Sequence, residues 1–559
     1  MLKFLFLMDE QLILKYVLQN AVKYNGKANS AAIIGKVLAE KPEYKADMNR
    51  VGSYINTIVK DVNTMPLGQQ KEKLKKIAPE LLEAVEMKHE KEERKIPELV
   101  NVKGKVIMRF APNPNGPMSL GHCRQALWNW FFCEKYKGNY ILRFDDTDPK
   151  VKIAMKEAYY WFDQDLKWLG IKPWKRVVQS KRFNVYYKYA EKLLKQGNAY
   201  VCLCKQDEFK ELKDKKMECG CRNLPVESQL ERWKKMFTSY KDGEAVLRVK
   251  TNVEHENPAV RDWIAFKICR KSKHPLNKKA KVWPLLNFAS AIDDYEFGVT
   301  HILRGVDLRV SDERQKYVYD YFGWKYPETM YSGKLLFAGI KSTSEAKKLI
   351  AEGKLTGWDD PRLGTLKALR RRGIQADAVV NYIKEMGITT ADTRISFDKL
   401  AANNKDIVDK KASRYFAVFN PKKIKIENAP KMIARIPLHP GNPRKGVRVL
   451  KTNDEFYVQD EIEKDTYYRL MHLFNFCNNE FVSKDVDKLL NARMIHWLPV
   501  SSGLVKIEVL MDDGSLKNGL AEAGIKKVKI NEVIQLERNF FARCDKKMKG
   551  KMVFVYGHQ

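Results

Sequence analysis

The first ninety or so positions alternate in a helical rhythm. Leu12, Leu14, Tyr16, Val17 and Leu18 open it after Asp9, and a lysine- and glutamate-rich stretch after Gln69 continues it to about Arg94. The run Lys88 to Lys95 is nearly all charged and Pro97 follows, so a boundary is expected near residues 95–104. The rhythm then changes. Val106 to Phe110 reads as a buried strand, Pro112, Pro114, Gly116 and Pro117 as a rigid turn, and a helix should begin near Ser119, carrying Leu120, Ala126, Leu127, Trp130 and Phe131. Tyr140 to Phe144 reads as the next strand. The order strand, helix, strand is a βαβ unit and predicts a parallel α/β fold. After Ile395, short Val- and Ile-rich segments separated by Lys, Asn, Gly and Pro turns predict an all-β portion, with its strongest break at Pro437 to Pro443. No internal repeat at a fixed period is seen.

With 559 residues the chain exceeds one hydrophobic core, so several domains are expected. No stretch approaches the ~18 apolar residues of a membrane span, and the apolar start, Met1 to Met8, meets Asp9 and Glu10 too soon for a signal peptide. A cytoplasmic chain with no membrane partner is expected. Lys and Arg number 103 against 69 Asp and Glu, a formal charge of +34, which favours a polyanionic partner, nucleic acid first. Arg270, Lys271, Lys273, Lys278, Lys279 and Lys281, and Arg370, Arg371 and Arg372, are groups suited to RNA phosphates or to a solvated face. Among nine cysteines, Cys202-Leu203-Cys204 and Cys219-Gly220-Cys221 form two C-x-C pairs, compatible with a closed structural Zn²⁺ site or with a reduced, metal-free cluster.

Ser119-Leu120-Gly121-His122 places a glycine and an imidazole at a helix start, where free backbone N–H groups attract phosphate. A histidine there is otherwise a surface or capping residue. The fuller segment, Arg109-Phe110-Ala111-Pro112-Asn113-Pro114-Asn115-Gly116-Pro117-Met118-Ser119-Leu120-Gly121-His122, resembles the opening signature of the class I glutamyl- and glutaminyl-tRNA synthetases, with Ser119 in place of the first histidine of the HIGH tetrad. Leu142-Arg143-Phe144-Asp145-Asp146-Thr147-Asp148-Pro149 and Gly298-Val299-Thr300-His301-Ile302-Leu303-Arg304-Gly305 resemble further signatures, as does Gly357 to Leu366. Trp283 to Phe288 has leucine where many relatives carry a substrate-contacting tyrosine.

The resemblance implies activation of glutamate by ATP, accompanied by Mg²⁺, followed by transfer to the 3′ end of tRNA. Asp145 would bind the α-ammonium group, and Arg304 and Arg109 the side-chain carboxylate, to which two guanidinium forks are complementary. The acids at 145, 146 and 148 could equally cap a helix. Ser119, Gly121, His122, Ser342 and Ser344 would bind ATP, with His122 and Lys341 carrying the catalytic charge. The KMSKS signature is altered: within Ile340-Lys341-Ser342-Thr343-Ser344-Glu345, Thr343 and Glu345 stand where lysines are common, so Lys341, or else Lys347 or Lys348, must face the departing pyrophosphate. The cysteines Cys202, Cys204, Cys219 and Cys221 would hold zinc.

The implied order is a helical appendix (1–100), the first half of a Rossmann-like catalytic domain (101–199), an acceptor-stem-binding insertion (200–282), the second catalytic half with the KMSKS-like loop (283–345), a helical connector (346–395) and anticodon-binding β-barrels (396–559). A glutaminyl-tRNA synthetase and a catalytically reduced tRNA-binding relative remain alternatives.

Overall fold

The computed structural model describes residues 9–24, 26–83, 96–337 and 342–559. It divides into two compact units, Met1–Lys95 and Ile96–Gln559. The charged run Lys88 to Lys95, the opening Met1 to Met8 and Lys341 lie outside the described residues.

In the first unit the helical rhythm is cut into separate helices, among them α1 (Glu10–Lys23), α2 (Ser30–Glu40), α3 (Met48–Thr64) and α4 (Leu67–Ile77), with residues 79–83 also helical. Asp9 caps α1 by accepting from the Leu12 N–H at 3.0 Å. Ile13, Val17, Leu18, Ile33, Val37, Val51, Ile55, Val62 and Leu74 form the core, all shielded from water. The polar side chain of Gln70 enters that core: its amide donates to the carbonyls of Gly26 (2.9 Å), Val62 (2.8 Å) and Met65 (3.1 Å), tying the end of α3 to α4.

The second unit starts with β1 (Ile107–Phe110), α5 (Leu120–Lys135) and β2 (Asn139–Phe144), the βαβ unit read from the pattern. Parallel β1 and β2 pair from Ile107 opposite Asn139, and β3 (Lys175–Val178) extends the sheet beyond β2. Gly138 makes the entry into β2 feasible, because a Cβ there would lie 2.4 Å from the Val106 carbonyl oxygen. Helix α6 (Lys156–Trp168) returns the chain to β3, and α7 (Phe183–Lys195) follows it.

An antiparallel sheet comes next: β4 (Ala199–Cys202), β5 (Val246–Val249), β6 (Ile264–Ile268) and β7 (Val282–Pro284), in that spatial order, with α8 (Gln206–Asp214) and α9 (Val226–Thr238) between β4 and β5. Its core is continuous with its neighbours. Phe183, Tyr186 and Leu194 from α7, Leu247, Phe266 and Trp283 from the sheet, Phe288 and Ile292 from α10 (Leu286–Glu296), and Val318 and Tyr319 from α11 (Arg309–Tyr321) form one cluster. The segment expected as an insertion thus shares its hydrophobic core with the elements on either side.

Strands β8 (His301–Gly305) and β9 (Glu328–Ser332) pair in parallel. They abut β1 through Thr300, whose N–H donates to the Ile107 carbonyl at 2.9 Å while its hydroxyl accepts the Ile107 N–H at 2.9 Å. The chain therefore winds from β1 to β2 on one side and from β8 to β9 on the other. Where strand order reverses in this way, a crevice opens at the carboxyl ends of the strands.

Helices α12 (Thr343–Ala351) and α13 (Leu366–Arg371) follow, then a helix pair, Ala376–Met386 and Phe397–Val408. The second of that pair lies in the stretch read as the start of the β portion. β-structure begins at Ser413. The largest C-terminal sheet has seven strands, and two separate hydrophobic cores lie in this region. Residues 415–419 serve both: Tyr415, Ala417 and Phe419 point into one core, Phe416 and Val418 into the other. The alternation spans the end of one strand, Ser413–Tyr415, and the next, Ala417–Phe419, which stand at opposite edges of the seven-stranded sheet.

The arginines at 370–372 are spent inside the molecule. Arg370 donates to Asp165 of α6 (2.6 Å) and Arg371 to Asp545 (2.9 Å). Arg372 donates to the Gly557 carbonyl (2.8 Å) and Asp512 (3.2 Å), with its guanidinium 4.0 Å from the Phe397 ring centroid. This corrects the reading of the cluster as a solvated or RNA-facing group: the three arginines fasten α13 to α6 on one side and to the C-terminal β portion on the other.

Candidate active site

Two segments more than two hundred residues apart in sequence meet over one cleft. The start of α5 is held by the strand-like stretch before α13: Leu120 N–H donates to the Gly364 carbonyl (3.1 Å) and Leu366 N–H to the Met118 carbonyl (2.9 Å). Thr365 sits opposite Ser119 and caps α13 by accepting the Ala368 N–H at 3.1 Å. Ser119, Gly121, Ser342, Thr343, Ala346 and Trp358 are among the residues lining an open cleft. Gly116 lets the proline-rich turn close on α12, since a Cβ there would approach the Thr343 methyl to 2.5 Å. Gly121 is different. A Cβ would meet only the Ser119 Oγ, at an ordinary 3.5 Å, so nothing in the protein itself demands glycine, and the space is open to a ligand.

The N-termini of α5 and α12 both open onto this cleft, each presenting the positive end of a helix dipole, an arrangement that favours phosphate. Ser342 caps α12 by accepting the Glu345 N–H at 3.1 Å, so Ser342 and Glu345 occupy the first and last positions of an S-x-x-E cap. The altered signature is therefore locally a helix start. Ser344 is exposed on the first turn of α12. Lys347 is exposed, and Lys348 is 3.8 Å from Glu352 on the same helix.

His122 is the third residue of α5, and its Nδ1 accepts the Ser119 N–H at 3.1 Å. That bond fixes the tautomer with the proton on Nε2. The ring lies edge-on to Phe162 and Phe110 (centroids 5.6 and 6.4 Å), and burial pushes its pKa down to about 4. His122 is thus a capping residue and also a neutral imidazole with an N–H to give, so the two readings of this histidine coexist.

Beside this cleft, the crevice at the carboxyl ends of β1, β2 and β8 holds a buried charge cluster. Arg109 Nε donates to Asp294 Oδ1 (3.0 Å), Arg143 Nη1 to the same oxygen (2.6 Å), and Arg143 Nε to Asp145 Oδ1 (2.7 Å). Arg304 faces Asp312 (2.5 Å) and Gln315 (3.2 Å), and Tyr326 and Tyr331 also donate to Asp312. Arg109, Asp145 and Arg304 thus lie in one buried cluster. Asp145 is already engaged by Arg143 and by the Ser290 hydroxyl (3.2 Å). Burial raises its pKa above the ordinary carboxylate range despite Arg143. At Asp294 burial works in the same direction, but Arg109 and Arg143 outweigh it and hold the carboxyl below that range.

Sequence reasoning passed over Arg143, Asp294, Asp312 and Gln315. One signal was available: Arg143 and Asp145 are two apart on a strand, hence on one face. The neighbouring acids divide the remaining work. Asp148 accepts the N–H groups of Lys150, Val151 and Lys152 (2.9, 3.0 and 3.1 Å), closing a turn and not capping a helix, since the next helix starts only at Lys156. Asp146 accepts the Ser180 N–H (2.8 Å) and hydroxyl (2.6 Å) and the Tyr159 hydroxyl (2.6 Å). Trp283 to Phe288 runs from β7 into α10, and Leu286 there is exposed.

The four cysteine sulfurs, Cys202 at the end of β4, Cys204 just after it, and Cys219 and Cys221 after α8, all lie within 4.8 Å of one another. A tetrahedron of Zn–S bonds of about 2.3 Å has edges near 3.8 Å, so the sulfurs need only contract slightly.

Residues 105–410 match the family model for tRNA synthetases class I (E and Q), catalytic domain, and residues 412–495 match that family's anti-codon binding domain. The chain belongs to the class I tRNA synthetases for glutamate and glutamine. It is 45% identical to a glutamate–tRNA ligase of Pyrococcus furiosus, with 98% of this chain and 100% of the relative covered. A glutamate–tRNA ligase of Pyrococcus abyssi is 46% identical over the same shares, and one of Methanocaldococcus jannaschii 44%. The synthetase is accordingly a multidomain α/β enzyme. Among its described residues no helix is long and apolar enough to cross a membrane.

Gly121→Ala is expected to leave the thermal midpoint of the synthetase unchanged while raising the KM for ATP about 10-fold, since one added methyl in a filled site costs about 1–3 kcal/mol. A loss of stability with unchanged ATP KM would show that the glycine serves packing.

Proposed function

We propose that this synthetase is a glutamate–tRNA ligase that joins the glutamate α-carboxylate to the α-phosphate of ATP, releases pyrophosphate, and passes the glutamyl group to the terminal adenosine of tRNA. The observation that carries the reading is the buried crevice with Arg109, Arg143 and Arg304 beside a cleft walled by two helix N-termini. A γ-carboxylate entering the crevice would replace a protein carboxylate on Arg109 or Arg304, a charge-for-charge exchange that a neutral amide cannot make without stranding a buried guanidinium. That favours glutamate over glutamine, and the three relatives named above are glutamate–tRNA ligases.

Residue roles follow. Ser119, Gly121, Ser342 and Ser344 would receive ATP, carried with Mg²⁺. His122 would donate its Nε2–H to phosphate while its Nδ1, an acceptor only in the neutral ring, goes on accepting the Ser119 N–H. Lys341 would neutralise the departing pyrophosphate, assisted by the start of α12. Arg304 and Arg109 would take the side-chain carboxylate and Asp145 the α-ammonium group, which requires Arg143 to lean further toward Asp294. The basic surface and the C-terminal β portion would engage the acceptor and anticodon ends of tRNA. Cys202, Cys204, Cys219 and Cys221 would hold a structural Zn²⁺, whose closed ligand set leaves no position for catalysis.

Pyrophosphate exchange in the presence of tRNA, with glutamate and glutamine compared, tests the reading. Glutamate should support exchange and glutamine should not, whereas exchange with neither would mark a catalytically reduced relative. Arg304→Ala should raise the glutamate requirement about 10- to 100-fold, as expected for a charge-assisted bond worth about 1.5–3 kcal/mol, and leave the ATP requirement nearly unchanged. Equal losses for both substrates would contradict the assignment.

Lys341→Ala should slow single-turnover adenylate formation by about 10²-fold at unchanged ATP affinity, the scale of losing one preorganised donor. Lys347→Ala should do far less, and equal effects would move the role elsewhere. Freshly reduced protein should contain one zinc per chain, lost in the Cys202→Ser, Cys219→Ser variant along with tRNA charging more than amino-acid activation. Metal analysis without zinc would overturn that assignment.

A further inference from the structure

Gly121 and Arg124 stand three residues apart on α5 and so share one side of it, but only Gly121 opens onto the nucleotide cleft. Arg124 is 1% exposed. Its Nη1 donates to the Gly333 carbonyl (3.0 Å) and its Nη2 to the Thr393 hydroxyl (3.2 Å), while its Nε is buried without a partner. Both acceptors are uncharged, and among the described residues no carboxylate forms an ion pair with this guanidinium. A sealed cation held by neutral groups alone is costly, and an apolar side chain of similar volume is often as stabilising in such a place. The two acceptors belong to a small ribbon apart from the larger sheets, in which Leu335–Leu336 pairs in parallel with Thr393–Arg394. The Gly333 N–H donates to the Thr389 carbonyl (2.7 Å), the Lys334 N–H to the Asp392 carboxylate (2.7 Å) and the Thr393 N–H to the Lys334 carbonyl (2.9 Å). Gly333 permits so close an approach, since a Cβ there would lie 2.1 Å from the Ala391 carbonyl oxygen. Leu335 and Phe337 of the same ribbon line the nucleotide cleft together with Ser119 and Gly121. Phe337 packs onto Gly364, the residue whose carbonyl receives the Leu120 N–H.

We propose that Arg124 is a positioning residue for adenylate formation: by clamping Gly333 and Thr393 to α5, it sets the cleft wall formed by Leu335 and Phe337 at a fixed distance from the helix start that receives ATP. The proposal rests on the glutamate–tRNA ligase reading and goes beyond it by naming a residue that touches no substrate. A guanidinium suits the task because its donors diverge from one rigid plane and reach two acceptors at once, whereas an ammonium is a single point on a flexible stem. Without the clamp the ribbon keeps its own hydrogen bonds but loses its register against α5, and the ATP site widens. The glutamate crevice is insulated from this change. Tyr331, which donates to Asp312 there, lies on β9, and β9 keeps its place through its own ladder with β8. The effect therefore falls on ATP and spares glutamate.

Arg124→Met keeps most of the buried volume and removes both donors, whereas Thr393→Val removes one acceptor and leaves the charge in place. Pyrophosphate exchange with tRNA present gives the KM for ATP and for glutamate, and thermal unfolding reports stability. Arg124→Met should raise the KM for ATP about 10-fold or more, the scale of losing charge-assisted bonds, and leave that for glutamate nearly unchanged. Thr393→Val should raise the KM for ATP about 3-fold. In the Arg124→Met background it should add nothing, because the bond it breaks is already gone. Arg124→Lys, with a donor for one acceptor only, should fall between the wild-type protein and Arg124→Met. Parallel losses for ATP and glutamate, an unchanged KM for ATP in Arg124→Met, or full additivity of the two substitutions would each overturn the proposal. If Arg124→Met does not fold, Thr393→Val decides alone, and an unchanged KM for ATP at an unchanged thermal midpoint would overturn it. Failure of the wild-type protein to exchange pyrophosphate with glutamate would instead overturn the reading beneath it.

Discussion

The constraint on which the site depends is that several charges are buried together at the carboxyl ends of three strands. Arg109, Arg143 and Arg304 are all nearly sealed from water, as are Asp145, Asp294 and Asp312. Each is tolerable only because it has a partner, and removing one partner from such a pair typically costs about 3–5 kcal/mol by stranding the other. Asp294 is the hinge of the arrangement, since Arg109 and Arg143 share one of its oxygens. The cluster thereby locks β1, β2 and α10 into one relative placement before any substrate arrives. It is also a reservoir of exchangeable carboxylate contacts, which is what a site for an acidic amino acid needs.

The second requirement is that the nucleotide cleft hold its shape although its walls come from distant parts of the chain. The short backbone pairing of Met118 and Leu120 with Gly364 and Leu366 does this. It ties the start of α5 to the segment that leads into α13, and α13 is in turn fastened by Arg370, Arg371 and Arg372 to α6 and to the C-terminal β portion. The C-terminal β portion is therefore connected to the cleft by a few stiff, charge-assisted contacts to Asp512, Asp545 and Gly557. The departure at Glu345 also finds a local reason: a carboxylate in the first turn of α12 suits the helix dipole and the Ser342 cap, so the residue that removes a lysine adds a better helix start.

The βαβ opening was legible because hydrophobic periodicity and the proline-glycine turn are local properties, and β1, α5 and β2 fall where the pattern puts them. The two C-x-C pairs were legible as a group because spacing alone brings two thiols together, though that the pairs would converge on each other depended on the sheet. The helix Phe397–Val408 was misread because its place beside Ala376–Met386 is decided by packing, and short apolar segments do not separate strand from helix. Arg370 to Arg372 were misread for a similar reason, since a run of arginines looks the same whether its partners are phosphates or the carboxylates of Asp165, Asp545 and Asp512.

What the sequence alone determined is the local chemistry and its family: the glycine and imidazole at a helix start, the acidic run after β2, the arginines at strand ends, the thiol pairs and the basic balance. Tertiary structure decided which of these are available. It paired Asp145 with Arg143, turned His122 back onto Ser119, spent the Arg370–Arg372 cluster largely on internal carboxylates, and buried His274 within a loop whose lysines are exposed. The reason is that a side chain's identity fixes what it can bind, whereas desolvation and the presence of a competing partner, both products of the fold, fix what it does bind.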